Sequence, residues 1–279
     1  MDREELRRQS YEAWERMAGG WERALERIEA SSTPVREWLI RELAPRRGDV
    51  ILDLAAGPGE TGFAAAALVG TQGRVVSSDR SPAMVEVGRR RAAGLGLRNV
   101  EHVVLDAEDL DLPDASVDGV ICRFGYMLMI DPGQALRETR RVLRPGGRVV
   151  FAVWREAERN PWVAVPGEMF VRRGVMPPPE PGVPGMFTLA SDEHLRELLG
   201  DAGFTSWKIE DVAVRHVSAD LDEYIAGARE TGGVFTRAWD AATDDEREQM
   251  TRELAAAFAP YRTDGRLELP GLAACVVAT

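Results

Sequence analysis

Short apolar runs and helical-period stretches alternate through the middle of the chain. The apolar runs are four to seven residues long, are bounded by turn residues, and are typical of buried strands. The stretches between them carry apolar residues every three or four positions, as one face of a helix does. The predicted strands are 49–55, 73–79, 100–106, 116–124 and 148–154. Strands that alternate with helices predict a parallel sheet covered by helices on both faces.

The two ends of the chain extend this pattern. In residues 3–29 the apolar positions fall three or four residues apart from Trp14 onward, which predicts a helix with a weak point at Gly19-Gly20. Pro34 is well placed to begin a second helix that would run to about Ala44. The C-terminal "LAACVVA" is predicted to be one more buried strand.

Two stretches, 155–190 and 218–262, interrupt the alternation. The first contains "MPPPEPGVPG" (176–185), whose Pro and Gly content excludes regular structure. Further elements are expected around them: helices at 191–202, 219–230 and 244–259, and a strand near "SWKIEDVAV". We interpret the two stretches as a cap over the carboxyl edge of the sheet, where open parallel sheets bind their ligands.

Composition limits the range of functions. The 279 residues are 44% hydrophobic and carry a formal net charge of -11, so nucleic acid is not an expected partner. Cys122 and Cys275 lie in apolar runs and are predicted to be buried free thiols, which favours a reducing compartment. The charged N-terminal start and the absence of a long apolar run predict a cytoplasmic protein without a membrane span.

A glycine-rich loop follows the first predicted strand. In "ILDLAAGPGETG" the spacing of Gly57, Gly59 and Gly62 matches G-x-G-x-x-G, in which glycine lets the backbone approach a ligand closely. Asp79 closes the next strand 22 residues after Gly57, where a carboxylate can accept hydrogen bonds from both ribose hydroxyls. This pair predicts a bound nucleoside and leaves both NAD and S-adenosylmethionine open.

Two more carboxylates favour S-adenosylmethionine over NAD. Asp53 lies inside the first strand, where its charge would repel a pyrophosphate and attract an ammonium or sulfonium group. Asp106 ends the third strand, where it can bind the adenine amino group while the backbone N–H of Ala107 serves a ring nitrogen.

Together, "VILDLAAGPGETG", "SSDRSPAMV", "VLDAEDLDLP", "SVDGVICRFGYMLMIDP" and "LRPGG" resemble the class I S-adenosylmethionine-dependent methyltransferases. The closest likeness is to the branch related to the ubiquinone/menaquinone C-methyltransferases. It covers residues 50–154, and more weakly "NPW" (160–162) and "GMFTLAS" (185–191). The resemblance implies an α/β fold with a doubly wound, seven-stranded, mostly parallel sheet in the order 3-2-1-4-5-7-6, with strand 7 antiparallel.

The resemblance also implies roles for individual residues. Asp53, Ala55 and Gly57 would face the methionyl amino group, and Gly59 would let the loop approach the cofactor. Around the nucleoside, the implied contacts are Asp79 to the ribose, Arg80 and Met84 beside the adenine, and Asp106 and Ala107 at its edge. The backbone carbonyl of Arg123 would lie near the methionyl group.

Other candidate residues lie outside these motifs. Tyr11 and Trp14 are predicted to cover the cofactor as part of an N-terminal lid, because aromatic faces attract a cation; ordinary core packing is the alternative. Arg123, Tyr126 and His216 are candidates for contact with the substrate, and the sequence nominates no general base. No His or Cys cluster suggests a metal.

The predicted organisation is a helical lid (1–48), an S-adenosylmethionine-binding core (49–154), and cap segments with the C-terminal part of the sheet (155–279). The predicted function is transfer of a methyl group to a small apolar or aromatic acceptor, on carbon or on oxygen. Two alternatives stay open: a non-methylating cyclase or binding module of the same fold, and an NAD-dependent oxidoreductase. The oligomeric state is not predicted.

Overall fold

A computed structural model describes residues 2–180 and 183–279 of the chain. Its centre is one mixed β-sheet, whose strands carry the apolar runs of the sequence. The strands are β1 (Val50–Leu54), β2 (Arg74–Asp79), β3 (Val100–Val104), β4 (Val117–Arg123), β5 (Leu143–Trp154), β6 (Trp207–Ser218), β7 (Arg262–Thr263) and β8 (Arg266–Ala278). The "RPGG" segment, predicted as a turn, lies inside β5 beside an irregularity in its pairing with β4.

The strand order is β3-β2-β1-β4-β5-β8-β6, and β7 pairs with the start of β8. Strands β1 to β5 pair in parallel, whereas β8 runs antiparallel to both β5 and β6. The predicted order and the antiparallel C-terminal strand are therefore confirmed, with "LAACVVA" in β8. The two-residue β7 is an addition to the predicted seven strands.

Nine α-helices are found in the described ranges. They are α1 (Arg3–Leu43), α2 (Glu60–Val69), α3 (Pro82–Gly94), α4 (Pro132–Val142), α5 (Pro161–Arg172), α6 (Asp192–Asp201), α7 (Leu221–Glu230), α8 (Val234–Ala241) and α9 (Asp244–Phe258). The described part of the Pro-rich stretch 176–185 contains neither helix nor strand, as expected; residues 181–182 lie outside the described ranges.

The prediction of two N-terminal helices is wrong, because α1 continues without a break from Arg3 to Leu43. Pro34 lies on its exposed side. The hydroxyls of Ser31, Ser32 and Thr33 donate to carbonyl oxygens of the preceding turn, at 2.7–2.9 Å. Proline cannot donate to the backbone ladder, so the helix passes this position without a bond from residue 34 to the carbonyl oxygen of Ala30.

Two apolar clusters organise the molecule. The larger joins the central strands to the C-terminal part of α1, including Val35, Trp38, Leu39 and Leu43. The smaller holds the cap together; its buried members are Met169, Phe170, Leu221, Ile225, Ala238, Met250, Leu254, Phe258, Leu267 and Leu269. The cap therefore has a core of its own beside the sheet.

Three features bear on the sequence predictions. Cys122 and Cys275 are buried free thiols, as predicted. Across residues 2–180 and 183–279, every helix is too short or too polar to cross a bilayer. Within the same ranges, no three His, Cys, Asp or Glu side chains are grouped so that they could hold a metal ion.

Candidate cofactor and acceptor site

The glycine loop joins β1 to α2 at the carboxyl edge of the sheet. Gly57 has a φ of +53°, in the left-handed region that favours glycine, and a Cβ atom placed there would meet nothing within 4 Å. The preceding Ala55 is exposed and also has a positive φ, of +51°. The loop thus turns an open backbone surface towards the sheet edge, as close approach to a ligand requires.

Asp53 lies beneath this loop in β1 and is 1% exposed. Its Oδ2 atom has no hydrogen-bond partner among the described residues. Burial raises the pKa of this carboxyl to about 7, although the positive charge of Arg123 and the nearby backbone N–H of Gly62 oppose that rise. A buried, unpaired carboxylate is costly unless a cation or a donor reaches it, so Asp53 fits the amino group of a cofactor.

The third glycine of the motif makes room for this carboxylate. A Cβ atom on Gly62 would lie 2.6 Å from Oδ2 of Asp53 and 3.2 Å from Cγ1 of Val75. The requirement for glycine at position 62 therefore comes from packing against Asp53, not from an unusual backbone conformation.

Asp79 fastens the glycine loop to the end of β2. Its Oδ2 accepts a hydrogen bond from the backbone N–H of Gly57 at 3.1 Å, and its Oδ1 accepts one from Ser81 at 2.9 Å. Burial raises the pKa of Asp79, and these two backbone donors oppose the rise. Each carboxylate oxygen keeps a lone pair for a further donor, such as a ribose hydroxyl.

The predicted adenine contacts follow β2 and β3. Asp106 is half-buried, and its Oδ1 accepts a hydrogen bond from the N–H of Glu108 at 3.0 Å. Ala107 is 9% exposed. Met84 is buried in a cluster with Ala18 of α1, against which Trp14 packs. The structure thus brings the predicted lid residue Trp14 to the same cluster as the predicted adenine contact Met84.

Helix α1 crosses the carboxyl edge and contacts three of the four segments that are predicted to bind the cofactor, those after β2, β3 and β4. Arg7 forms an ion pair with Glu108, and Glu15 bonds to Ser81. The third contact is an ion pair between Glu29 and Arg123 at the end of β4. Near the start of the helix, Tyr11, Arg7, Arg8 and Arg80 line an open cavity of about 630 Å³.

The side chain of Arg123 binds to α1. Its Nη1 donates to Oγ of Ser32 at 2.9 Å, and Nη2 bonds to Glu29. The arginine side chain is 14% exposed. The side chain is thus bonded to α1, and the predicted contact with the substrate and the predicted role of the backbone carbonyl both stay predictions.

Tyr126 does not reach the site, so its predicted contact with the substrate is withdrawn. The side chain is fully buried, and its hydroxyl lies 2.6 Å from Oγ1 of Thr139. Burial raises the pKa of the phenol well above its usual value. The ring packs edge-on against Phe151 at 5.0 Å, which makes Tyr126 part of the core.

An aromatic row leads from β4 into the cap. Phe124 and Trp154 are stacked with their centroids 4.1 Å apart, and Trp162 lies 5.2 Å from Trp154. His216 stacks on Trp162 at 4.1 Å. Phe124 has a φ of +63°, a strained conformation for a non-glycine residue and one that often occurs at functional sites.

His216 is the one predicted substrate contact whose ring belongs to this row. Its Nε2 is buried, with no hydrogen-bond partner in the part of the chain that the structure describes. Burial lowers the pKa of the imidazole to about 4, so the ring is neutral at physiological pH. A neutral imidazole can accept or donate a hydrogen bond at Nε2, depending on its tautomer.

Sequence reasoning missed several residues of the site. Glu15, Glu29 and Glu108 were indistinguishable from other charges of a strongly charged chain, because only the fold brings them to the loops. Phe124 could have been predicted, because it directly follows β4 at the edge of the sheet where ligands bind.

The comparisons with known proteins agree with this geometry. Residues 45–170 match the family model described as "Methyltransferase domain". This stretch therefore resembles a methyltransferase domain. It is related to the quinone C-methyltransferase branch: a demethylmenaquinone methyltransferase of Clavibacter sepedonicus is 48% identical over 111 residues, which are 40% of this chain and 43% of that relative. These matches agree with the predicted resemblance to the S-adenosylmethionine-dependent methyltransferases.

Solved structures confirm the fold. The YcgJ protein of Bacillus subtilis has a TM-score of 0.57 at 20% identity, over 87% of this chain and 96% of YcgJ. The [4+2]-cyclase SpnF has a TM-score of 0.53 at 21% identity, over 88% of this chain and 79% of SpnF. The matched stretch spans less than half the length of the curated relatives.

Proposed function

We propose that this chain transfers a methyl group from S-adenosylmethionine to a small apolar or aromatic acceptor. The observation that carries the proposal is the buried Asp53 carboxylate, whose Oδ2 lacks a partner beside a loop held by Asp79. An anionic pyrophosphate would be repelled there, whereas the ammonium and sulfonium groups of S-adenosylmethionine would be attracted.

The residues of the chain would bind and orient the cofactor. Asp53 would face the amino group, Asp79 the ribose hydroxyls, and Asp106 with Ala107 the adenine edge. When bound, S-adenosylmethionine supplies a methyl group on a positively charged sulfur. The protein's part is then to align the acceptor with that methyl group and to exclude water, which can account for much of the acceleration.

The aromatic row supports the proposed class of acceptor. Phe124 and Trp154 lie at the carboxyl ends of β4 and β5, next to the cofactor loops, and the row continues through Trp162 of α5 to His216 of β6. Aromatic side chains favour flat, apolar ligands, and quinone-type rings are of this kind. If the nucleophile carries a proton, the unpartnered Nε2 of His216 is the nearest candidate in this row to accept it.

The first experiment compares ligands. We expect S-adenosylhomocysteine to raise the melting temperature of the protein by mass action and NAD to leave it unchanged. The reverse result would favour an oxidoreductase. The variant Asp79→Ala should weaken binding of S-adenosylhomocysteine by about 2–4 kcal/mol, because two ribose hydroxyls lose a charged acceptor. Asp109→Ala is the matched control, since Asp109 is an exposed loop residue.

The second experiment follows the methyl group. Protein supplied with methyl-labelled S-adenosylmethionine should transfer the label to members of a panel of naphthols, quinols and other small aromatic compounds. A protein that binds S-adenosylhomocysteine but transfers label to no acceptor of the panel would support the non-methylating alternative, a cyclase or binding module.

A further inference from the structure

Glu15 joins helix α1 to the segment that follows the ribose-binding carboxylate. Its Oε1 accepts a hydrogen bond from Oγ of Ser81 at 2.5 Å and another from the backbone N–H of Ala83 at 3.0 Å. Glu15 is half-buried, and no arginine or lysine of the described ranges forms an ion pair with it. Its bonds therefore go to the first turn of α3 instead of to a neighbouring cation.

Ser81 connects this carboxylate to the cofactor site. Its backbone N–H donates to Oδ1 of Asp79 at 2.9 Å, and its Oγ also accepts from the N–H of Met84 at 3.1 Å. Asp79 in turn accepts from Gly57 at 3.1 Å. A continuous chain of hydrogen bonds thus runs from α1 through the start of α3 to the glycine loop.

We propose that Glu15 is a positioning residue for the cofactor: it fixes Ser81 and thereby holds the Asp79 carboxylate in the orientation that the two ribose hydroxyls require. The inference rests on the proposed function, because it needs S-adenosylmethionine in this site. The geometry explains how Glu15 could influence the orientation of the Asp79 carboxylate. Both carboxylate oxygens of Asp79 are held by backbone donors, and one of these donors belongs to the residue that Glu15 binds.

A purely structural role for Glu15 makes a different prediction. A carboxylate near the start of α3 also stabilises that helix and attaches α1 to it, whatever ligand is present. Loss of such a role would weaken all cofactor analogues equally. A role through Asp79 would weaken ligands that carry ribose hydroxyls more than ligands that lack them.

The test measures dissociation constants by calorimetry for S-adenosylhomocysteine and for its analogue without the 2′- and 3′-hydroxyls. We expect Glu15→Gln to weaken S-adenosylhomocysteine about three- to tenfold and the dideoxy analogue less than twofold, in line with the net contribution of one ordinary hydrogen bond. Glu12→Gln is the control, because Glu12 pairs with Arg8 and Arg16 within α1; it should leave both constants unchanged. Equal weakening of the two ligands by Glu15→Gln would overturn the inference.

A second variant keeps the inference testable if Glu15→Gln does not fold. Ser81→Ala retains the backbone N–H that Asp79 accepts and removes the hydroxyl that Glu15 binds, so it should show the same selectivity for the ribose hydroxyls. In the double variant the two penalties should add only in part, because both changes disrupt the bond that Glu15 and Ser81 share. Full additivity would contradict the inference. If the wild-type protein binds neither ligand, the proposed function itself fails, which is a distinguishable outcome.

Discussion

The backbone of Gly20 in α1 lies directly against the carbonyl oxygen of Glu230 at the end of α7. A Cβ atom on Gly20 would also come within 2.8 Å of the carbonyl carbon of Thr231, closer than real Cβ contacts allow. In the same crossing, Nη2 of Arg27 donates to the carbonyl oxygen of Gly227 at 2.7 Å. Gly20 is therefore a contact point between α1 and the cap, not the weak point in the helix that its sequence predicted.

We predict that Gly20→Ala destabilises the protein by about 1–3 kcal/mol, because the added methyl group overpacks a backbone contact. Gly19→Ala is the matched control. Its Cβ would meet only Nη1 of Arg23 at 3.6 Å, so the higher helix propensity of alanine should stabilise α1 by up to about 1 kcal/mol. Urea unfolding of both variants measures the difference. Two variants of equal stability would mean that α1 and α7 are not in backbone contact.

The sheet was predictable because each of its parallel strands is marked by a pattern of neighbouring residues in the sequence. Each strand from β1 to β5 is an apolar run beside a turn, and the cofactor residues lie at fixed distances from those strands. The course of α1 was not predictable, since Gly19-Gly20 and Pro34 are breakers by local rules. In the fold, Gly20 lies against the backbone of Glu230, and Pro34 lies on the exposed side of the helix. The predicted contact between Tyr126 and the substrate was wrong for the same reason, because only the fold shows that the Tyr126 hydroxyl bonds to Thr139.

The raised pKa of Asp53 predicts a pH-dependent stability. Because the folded pKa is about 7 and the unfolded value is about 3.9, the folded protein binds the additional proton between these values. The free energy of unfolding should therefore fall as the pH rises from about 4 to 7, by up to about 4 kcal/mol from this group. Asp53→Asn should flatten that part of the profile.

The measurement is urea unfolding at pH 5 and pH 8, with Asp109→Asn as an exposed-carboxylate control. Binding should show the opposite trend, because an ammonium group favours ionised Asp53. The affinity for S-adenosylhomocysteine should therefore increase as the pH approaches 7, and Asp53→Asn should remove most of that increase. A wild-type profile that matches the profile of Asp53→Asn in both assays would contradict the assignment.

If the aromatic row binds the acceptor, a substitution in the row should change acceptor binding and leave cofactor binding almost unchanged. Trp154→Leu removes the stack on Phe124, so it should raise KM for the acceptor severalfold while the dissociation constant of S-adenosylhomocysteine changes less than twofold. Leu68→Ala is a control, because Leu68 is an exposed residue of α2. Unchanged acceptor KM in Trp154→Leu, once an acceptor is known, would place the acceptor elsewhere.

The last prediction concerns the N-terminal part of α1. Residues 35–43 contribute to the main core, whereas the part before residue 20 is held by the small cluster around Met84 and by polar contacts from Arg7 and Glu15. We therefore expect hydrogen exchange in residues 3–20 to be faster than in 35–43 in the free protein, and to slow when S-adenosylhomocysteine binds. Deletion of residues 1–18 should impair turnover and leave the sheet folded. Equal, high protection of both segments with and without the ligand would instead make all of α1 permanent core, and Trp14 would lose its predicted role over the cofactor.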